Sequence, residues 1–429
     1  VYAGGLVFQQ VFGIKELWGI DFFWIAAIGL VVLTALYTIF GGMKSVLYTS
    51  VLQTPILLLG SLIILVLGFK ELGGWDEMMR VCGAVTVNDY GDTMTNLIRS
   101  NDDANFPWLG ALIGSAIIGF WYWCTDQFIV QRVLSGKNEM EARRGTIFGA
   151  YLKLLPVFLF LIPGMIAFAL HQKYIGAGGE GFLPMLENGT ANADAAFPTL
   201  VAKLLPAGVK GLVVCGILAA LMSSLASLFN SSAMLFTIDF YKRFRPQTSE
   251  KKLVGIGQVA TVVIVILGIL WIPIMRSVGD VLYTYLQDVQ SVLAPGIAAA
   301  FLLGICWKRT SAQGGMWGLI SGMVIGLTRL GAKVYYSNAG EVADSTFKYL
   351  FYDMNWLFFC GWMFLFCIIV VIVVSLATEA PTAEKIQGLV FGTATKEQKA
   401  STRASWNHWD IIHTVIILAI TGAFYWYFW

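Results

Sequence analysis

Apolar runs of about twenty residues recur along the whole chain, and they restrict its fold more than any other feature. A helix of about 20 residues crosses the roughly 30 Å of hydrocarbon in a bilayer, where only helices and closed barrels satisfy their backbone amides. The runs lie at 1–14 (partial), 22–40, 46–69, 107–127, 145–170, 206–240, 253–275, 281–305, 312–332, 355–378 and 410–429. The sequence therefore predicts an all-α membrane protein with about ten and a half transmembrane helices.

Composition agrees with this class and excludes others. The chain is 57% hydrophobic and 13% charged, with a net charge of +2, whereas soluble proteins carry about 25% charged residues. No basic cluster indicates nucleic-acid binding. Of the six cysteines only Cys82 lies in a long polar loop, so no disulfide framework is expected. The sequence has no HExxH motif, Cys/His cluster or P-loop, which argues against a metal enzyme.

Charges in the loops predict the orientation of the spans, because cytoplasmic loops carry an excess of Lys and Arg. The loops expected to be cytoplasmic carry Arg132, Lys137, Arg143 and Arg144, then Lys242, Arg243, Arg245, Lys251 and Lys252, then Lys308 and Arg309. The acidic loop 71–106 and the Gly/Asn-rich loop 172–205 are expected outside, as is Trp429. The chain begins at Val1 within an apolar run, so we expect an N-terminally truncated piece of a longer protein.

Prolines and glycines mark places where helices are expected to break. Pro156 and Pro163 bracket the run 145–170, Pro295-Gly296 interrupts 281–305, and Gly41-Gly42 is expected to start a tight cytoplasmic turn. Transporters place their binding sites at interrupted helices, because freed carbonyls and helix ends can face a ligand. A plain kink is the alternative for each proline.

The stretch "ALMSSLASLFNSSAMLF" is unusually polar for a span. Ser223, Ser227 and Asn230 fall at i, i+4 and i+7 on one helical face, with Ser224 and Ser231 on the neighbouring strip. Hydroxyl and carbonyl oxygens are the ligands that a hard cation such as Na⁺ requires. Close packing of helices through small residues explains the same pattern, and the residues alone favour packing.

Four other side chains in the spans have two readings each. Lys153 either donates hydrogen bonds to a substrate or extends to the cytoplasmic face. Gln287 suits a sugar hydroxyl, since its amide both donates and accepts, or it bonds a neighbouring helix. Tyr122 and Trp123, in "GFWYWCTDQFIVQR", either stack on a sugar ring or belong to an interfacial aromatic belt.

Five stretches in order resemble one family. They are "YTIFGGMKSVLYTSVLQ", "FWYWCTDQFIVQRVLSGKN", "YLKLLPVFLFLIPGM", "LMSSLASLFNSSAMLFTIDFYKR" and "YLQ…APGIAAAFLLGICWKR". Together they resemble the sodium/solute symporter family, in particular its sodium/glucose (sodium/galactose) cotransporter branch. The resemblance implies a LeuT-like inverted-repeat fold that couples Na⁺ flow to sugar uptake by alternating access. It also implies one transmembrane domain over 1–429, with core helices 3 (partial) to 10 at about 1–305 and three peripheral helices at about 312–429.

The resemblance assigns roles to residues at the matching positions. The helix at 107–127 is expected to be the discontinuous sixth core helix, with Tyr122 stacking on the sugar as an inner gate and Trp123 beside it. Asp126 and Gln127 match pathway or gating residues, and Lys153 and Gln287 match sugar contacts. The Na⁺ site is expected at the carbonyl of Ala220 and the hydroxyls of Ser223 and Ser224.

Departures from the family pattern limit these expectations. The first two core helices are absent, and with them further sodium and sugar contacts. Ser50 stands where the family commonly has Asp, and Ala226 where members with a second sodium site have Thr, so one Na⁺ per substrate is expected. Gln290 and Gly119 replace other residues near the sugar, which leaves open a substrate other than glucose or galactose.

The sequence thus predicts a transporter and no enzyme: a Na⁺-coupled symporter that imports a monosaccharide or polyol. Its predicted partners are the sugar or polyol, sodium ion and the lipid bilayer, with no nucleic acid. The alternatives are a family symporter for another solute (myo-inositol, an amino acid or a carboxylate) and a transporter-like membrane sensor. Against a carboxylate substrate, no arginine is expected within the spans to pair with it. The external loops are not cysteine-rich, which favours a bacterial inner membrane.

Overall fold

The computed structural model describes residues 2–186, 189–278, 282–339 and 343–428. Val1, at which the predicted partial span begins, and Trp429, which was predicted on the external side, are not among the described residues. The chain divides into two compact units. The first unit comprises 1–85, 93–95 and 152–277, and the second comprises 86–92, 96–151 and 278–429.

The first unit is built from helices and one short, largely exposed hairpin. Its elements are α1 (Tyr2–Phe12), β1 (Glu16–Leu17), β2 (Ile20–Asp21), α2 (Phe22–Leu72), α3 (Trp75–Gly83), the end of α6 (Glu139–Pro156), a π-turn (Val157–Leu161), α7 (Ile162–Gly176), a 3₁₀ turn (Ala193–Ala195), α8 (Ala196–Leu204), α9 (Ala207–Met234), a second π-turn (Leu235–Tyr241), α10 (Lys242–Phe244) and α11 (Glu250–Val278). Its main core lies where α2, α3, α7, α8 and α9 meet, around Ile64, Met78, Ile166, Leu200 and Val213.

The second unit is also helical in its described part. It contains α4 (Trp108–Cys124), α5 (Gln127–Leu134), most of α6, α12 (Leu282–Cys306), α13 (Ala312–Asn338), α14 (Thr346–Lys348), a π-turn (Tyr349–Asp353), α15 (Trp356–Ala377), α16 (Ala383–Ile386), α17 (Lys396–Ala404) and α18 (His408–Tyr427). Small residues of α12 (Ala294, Ala298) pack against Ile117 and Ile118 of α4 and against Leu357 of α15. This cluster packs α4, which carries two of the four predicted substrate residues, against α12, which carries a third.

Helix α2 is continuous where a turn was expected. It runs for 51 residues from an N-cap at Asp21, whose carboxylate accepts the Phe23 N–H, to a left-handed C-cap at Gly73 (φ 112°). A turn at Gly41-Gly42 between spans 22–40 and 46–69 was therefore the wrong prediction. Glycine permits a turn without requiring one, and here its backbone keeps helical hydrogen bonding. At roughly 75 Å the helix exceeds the hydrocarbon core of a bilayer.

The expected helix breaks have three different outcomes. The predicted discontinuity near Asp126 is confirmed, because α4 and α5 are bent by 48°. The run 145–170 is not broken but widened: after Pro156 the π-turn forms, and the Ile162 N–H reaches the Val157 carbonyl. The interruption expected at Pro295-Gly296 is wrong, since α12 continues through both residues. Transmembrane helices tolerate proline where neighbours re-satisfy the backbone.

Seven helices in the described ranges are long and apolar enough to cross a bilayer, or eight if the bent α4–α5 pair is one span. They cover Gln53–Leu72, Glu139–Gly176, Ala207–Phe244, Glu250–Pro273, Leu286–Cys306, Trp356–Ala377 and His408–Tyr427. The predicted spans at 1–14, 22–40 and 312–332 are not among them. Helix α1 has 11 residues, the apolar stretch Phe22–Leu36 is short, and α13 has the length but is less apolar.

Candidate sodium and substrate sites

Two hydroxyls meet between α2 and α9 in the first unit. The Ser50 and Ser223 side-chain oxygens lie 2.6 Å apart, and Ser223 is buried. One turn later the fully buried Ser227 donates its hydroxyl to the Ser223 carbonyl, 3.0 Å away. The sequence drew attention to Ser50 only as a missing carboxylate. The structure shows its hydroxyl as a partner of the predicted sodium ligand.

The three predicted sodium ligands lie on one segment of α9 but differ in exposure. Ser223 faces α2, whereas Ser224 is exposed and Ala220 is half-buried. Consecutive helical residues are about 100° apart, so the two serine hydroxyls point to different sides of α9. Among the described residues no group of three or more His, Cys, Asp or Glu side chains is placed to hold a metal. A cation here would depend on hydroxyl and carbonyl oxygens.

The packing explanation of these serines also has support. An added Cβ at Gly216 of α9 would lie 3.0 Å from the Ile56 side chain, and one at Gly60 of α2 would lie 2.4 Å from Val213. Small residues thus allow α2 and α9 to approach closely, and Ala226 is fully buried beside them. Close packing and cation binding do not exclude each other, because the small residues bring the hydroxyls together. The sodium site stays a prediction.

Lys153 lies just before the widened part of its helix. It is one turn short of Pro156 and the π-turn, and its side chain is exposed. Single π-turns within α-helices are frequent at functional sites, because the extra residue shifts the helical register. Exposure is compatible with both readings of this lysine, as a substrate contact and as a side chain extending to the cytoplasmic face.

In the second unit, the polar end of "GFWYWCTDQFIVQR" builds the break between α4 and α5. The Thr125 hydroxyl donates to the Trp121 carbonyl at 2.7 Å, and the same carbonyl accepts the Thr125 and Asp126 N–H groups. Asp126 is the N-cap of α5: its carboxylate accepts the Phe128 N–H at 3.0 Å. Gln127 is the first residue of α5. The carboxylate therefore has a structural role, and the predicted gating role of Asp126 and Gln127 is untested.

The two predicted stacking aromatics occupy the last turn of α4. Tyr122 is half-buried, and Trp123 is 49% exposed. Their rings meet edge to face with centroids 5.3 Å apart, a favourable arrangement for aromatic pairs. The Trp123 ring thus helps to orient the Tyr122 ring directly before the helix break, where an inner gate was expected.

Gln287 lies in the first turns of α12 and is half-buried. Helices α4 and α12 run parallel, because Phe106, just before α4, contacts Tyr283 near the start of α12, and Phe120 contacts Phe301 near the other end. At 1.5 Å per residue, Gln287 and Tyr122 are then separated by roughly 20 Å along the helix axes. The structure therefore places these two predicted substrate residues at different positions along the helix axes.

A buried arginine corrects the expectation that the spans contain none. Arg329 of α13 is fully buried, and its guanidinium lies 3.5 Å from the Asp288 carboxylate of α12. It also donates to the Met354 carbonyl at 2.8 Å and stacks over the Phe359 ring at 4.1 Å. Lys333 donates to the same carboxylate. The partners of Arg329 are therefore other residues of the protein. Opposite charges within two apolar runs, Asp288 in one and Arg329 in the other, were the sequence signal for this pair, and the pair was not predicted from them.

The sequence matches the sodium:solute symporter family model over residues 1–322. It is 35% identical over 404 residues to the sodium/myo-inositol cotransporter 2 of Homo sapiens, covering 92% of this chain and 59% of that protein. It is 35% identical over 455 residues to a sodium/mannose cotransporter of Bos taurus, covering 100% of this chain and 74% of that protein. For the sodium/glucose cotransporter 4 of Mus musculus the identity is 35% over 404 residues, with 92% and 58% covered.

A solved structure of a Na⁺-coupled sialic acid symporter, in a substrate-bound outward-open state, has a similar fold. The TM-score is 0.62 at 20% identity, covering 89% of this chain and 73% of that one. The predicted LeuT-like, all-helical membrane fold is confirmed by this likeness, and the family resemblance by the sequence matches. The chain spans 59% of the length of the human myo-inositol relative.

Proposed function

Because the chain belongs to the sodium:solute symporter family, we propose that it serves in a Na⁺-coupled symporter that imports a monosaccharide or polyol by alternating access. The observation that carries this proposal is the bent α4–α5 helix, with Tyr122 and Trp123 in its last turn before the break and the Asp126 cap after it. A helix interrupted at this point presents backbone groups and an aromatic face to a ligand. No covalent bond changes in this function, so no catalytic residue is assigned.

Sodium binding is proposed at Ala220, Ser223 and Ser224 of α9. The buried hydroxyl of Ser223, with Ser50 2.6 Å away, supports a site formed by neutral oxygens. With serine at position 50 and alanine at 226 we propose one Na⁺ per substrate. The driving force is the sodium gradient plus the membrane potential, which is worth about 2.3 kcal/mol per charge for each 100 mV.

Substrate contacts are proposed for Gln287, Lys153, Tyr122 and Trp123. The relatives are named for myo-inositol, mannose and glucose, all of which are rich in hydroxyls. An amide and an ammonium suit such ligands, because the amide both donates and accepts and the ammonium donates. The axial separation between Gln287 and Tyr122 supports consecutive roles, with Gln287 meeting the solute first and Tyr122 forming the inner gate.

Uptake by the full-length protein in proteoliposomes tests this proposal. Labelled glucose, galactose, mannose and myo-inositol would be offered with an inward Na⁺ gradient and, in parallel, with K⁺. We expect Ser224→Ala to raise the Na⁺ concentration for half-maximal uptake and Gln287→Ala to raise the KM for the solute. Ser61→Ala is the matched control, since this serine is buried in α2 about three helical turns beyond Ser50. Absence of Na⁺-stimulated uptake of every solute would refute the proposal.

The alternatives to sugar transport and the membrane in which the protein lies stay predictions. Uptake of a different solute with the same sodium dependence would support the alternative family symporter. Signalling without any transport would support the sensor. The chain is a multi-pass membrane protein, whereas its location in a bacterial inner membrane is proposed only from the lack of a cysteine-rich external loop; the three relatives named above are mammalian.

A further inference from the structure

A continuous seam joins α12 to α13 in the second unit. On α12 it follows Asp288, Val292 and Gly296, which are spaced four residues apart and therefore share one face. An added Cβ at Gly322 of α13 would lie 3.0 Å from the Gly296 Cα, and one at Gly326 would lie 2.7 Å from the Val292 carbonyl oxygen. The helix backbones are thus in close contact along the later part of the seam.

At its other end the same seam is ionic. The Asp288 carboxylate receives the Lys333 ammonium and lies 3.5 Å from the guanidinium of Arg329. Arg329 is itself anchored, because it is fully buried and donates to the Leu350 and Met354 carbonyls. A carboxylate held by two cations, one of them immobilised, has little rotational freedom. The position of Asp288 around the α12 axis is therefore fixed by α13.

Gln287 directly precedes this anchored residue. It lies about 100° around the helix from Asp288, on the face that continues through Ser291, Ala294 and Ala298. Ser291 is fully buried, and Ala294 and Ala298 pack against α4 through Ile117 and Ile118. Fixing Asp288 toward α13 therefore turns Gln287 toward α4, the helix whose last turn carries Tyr122.

From this geometry we infer that Asp288 is a positioning residue, which through Arg329 and Lys333 sets the rotation of α12 and so directs Gln287 to the solute. The inference rests on the proposed function only in the role given to Gln287. Asp288 itself does not need to touch the solute, and its carboxylate is occupied by α13.

A double-mutant cycle on the full-length protein in proteoliposomes tests this role. We expect Asp288→Asn to raise the solute KM roughly tenfold, as Gln287→Ala does, because each removes about one hydrogen bond's worth of affinity. If Asp288 acts through Gln287, the double variant has about the KM of Gln287→Ala alone. Multiplication of the two effects to roughly a hundredfold would overturn the inference. The Na⁺ concentration for half-maximal uptake should stay unchanged.

Two further variants separate positioning from simple misfolding. Asp288→Asn leaves Arg329 and Lys333 without their shared counter-ion. Asp288→Asn with Arg329→Met also removes the fully buried cation, and it is expected to fold because the remaining Lys333 is partly exposed. That pair should keep the raised KM; a wild-type KM would overturn the inference. Asp344→Asn is the matched control, because Asp344 pairs with Lys348 at 2.9 Å in an exposed segment of the same unit, and its KM should equal that of the wild type.

A labelling experiment remains decisive even if no solute is transported. In a background with the six native cysteines replaced, Gln287→Cys would be reacted with a small water-soluble maleimide. We expect Asp288→Asn to change the labelling rate by several-fold, since rotation of α12 changes the exposure of position 287. An equal rate in both backgrounds would overturn the inference. Failed uptake with an altered labelling rate would refute the proposed function and leave the positioning role intact.

Discussion

Replacing Gly326 by alanine should separate α12 from α13. A Cβ at this position would lie 2.7 Å from the Val292 carbonyl oxygen and 2.5 Å from a Val292 methyl group. The first distance is about 0.7 Å inside ordinary van der Waals contact at 3.4 Å. Because the obstacle is backbone, no change of side-chain rotamer relieves it, and one helix must move.

The free-energy cost of this clash can be obtained by comparing glycine-to-alanine substitutions at two positions of α13. Overpacking a tight core costs about 1–3 kcal/mol, while replacing glycine by alanine inside a helix returns about 0.5–1 kcal/mol. Gly331, also within α13, has nothing within 4 Å of its added Cβ. Gly331→Ala thus has the favourable helix effect alone, and the difference between the variants isolates a clash of about 1–3 kcal/mol.

Thermal stability of the detergent-solubilised full-length protein provides the assay. Monodisperse protein would be quantified by size-exclusion chromatography after heating for a fixed time, since unfolding of such proteins is often irreversible. We expect Gly331→Ala to equal or exceed the wild type and Gly326→Ala to fall below both. Equal stability of the two variants would refute the close approach of α12 and α13.

Three other predictions concern groups outside this seam. Burial raises the pKa of the Cys82 thiol to about 11, so an impermeant maleimide at neutral pH should label Cys82 only after denaturation; labelling at Cys82 in the native protein would contradict this burial. Burial of the Asp103 carboxyl raises its pKa, but hydrogen bonds from the Phe106 and Asn105 N–H groups and from Asn88, with the charge of Arg99, outweigh this and lower it overall. The ionised Asp103 carboxylate should therefore contribute its full free energy to folding above the ordinary pKa of about 3.9, and this contribution should disappear as pH falls through the lowered pKa. Amide hydrogen exchange in residues 86–106 should accelerate only in that acidic range. Asp103→Asn should accelerate the same exchange at neutral pH. Asp126→Ala should cost about 1 kcal/mol through loss of the α5 cap, whereas Asp126→Asn retains it; equal amide exchange at Phe128 in both variants would contradict the capping role.

The sequence predicted the class of this protein because the class depends on properties that are local. A run of apolar residues long enough to cross a bilayer is visible without any partner, whereas the break before Asp126 was expected only from the family resemblance. Glycine and proline were less reliable guides. Gly41-Gly42 and Pro295-Gly296 both lie within continuous helices, since these residues allow a change of direction and do not impose one.

The family motifs identified candidate residues, but their arrangement depended on tertiary structure. Ser50 and Ser223 are 173 positions apart in the sequence and share a hydrogen bond. Which hydroxyl of the Ser223-Ser224 pair would face α2 followed from how the two helices pack, and no periodicity in α9 alone could select it. Tyr122 and Gln287 matched one family site, yet ring contacts between α4 and α12 place them at different levels.

The sequence by itself determined that the chain spans a membrane, that it is helical and which family it belongs to. Only the tertiary structure revealed that Asp288, Arg329 and Lys333 form one buried ionic group. Hydrophobicity acts residue by residue and is additive along a chain. Charge compensation in a buried site depends on distance between groups from different helices, and that distance exists only after α12 and α13 have packed.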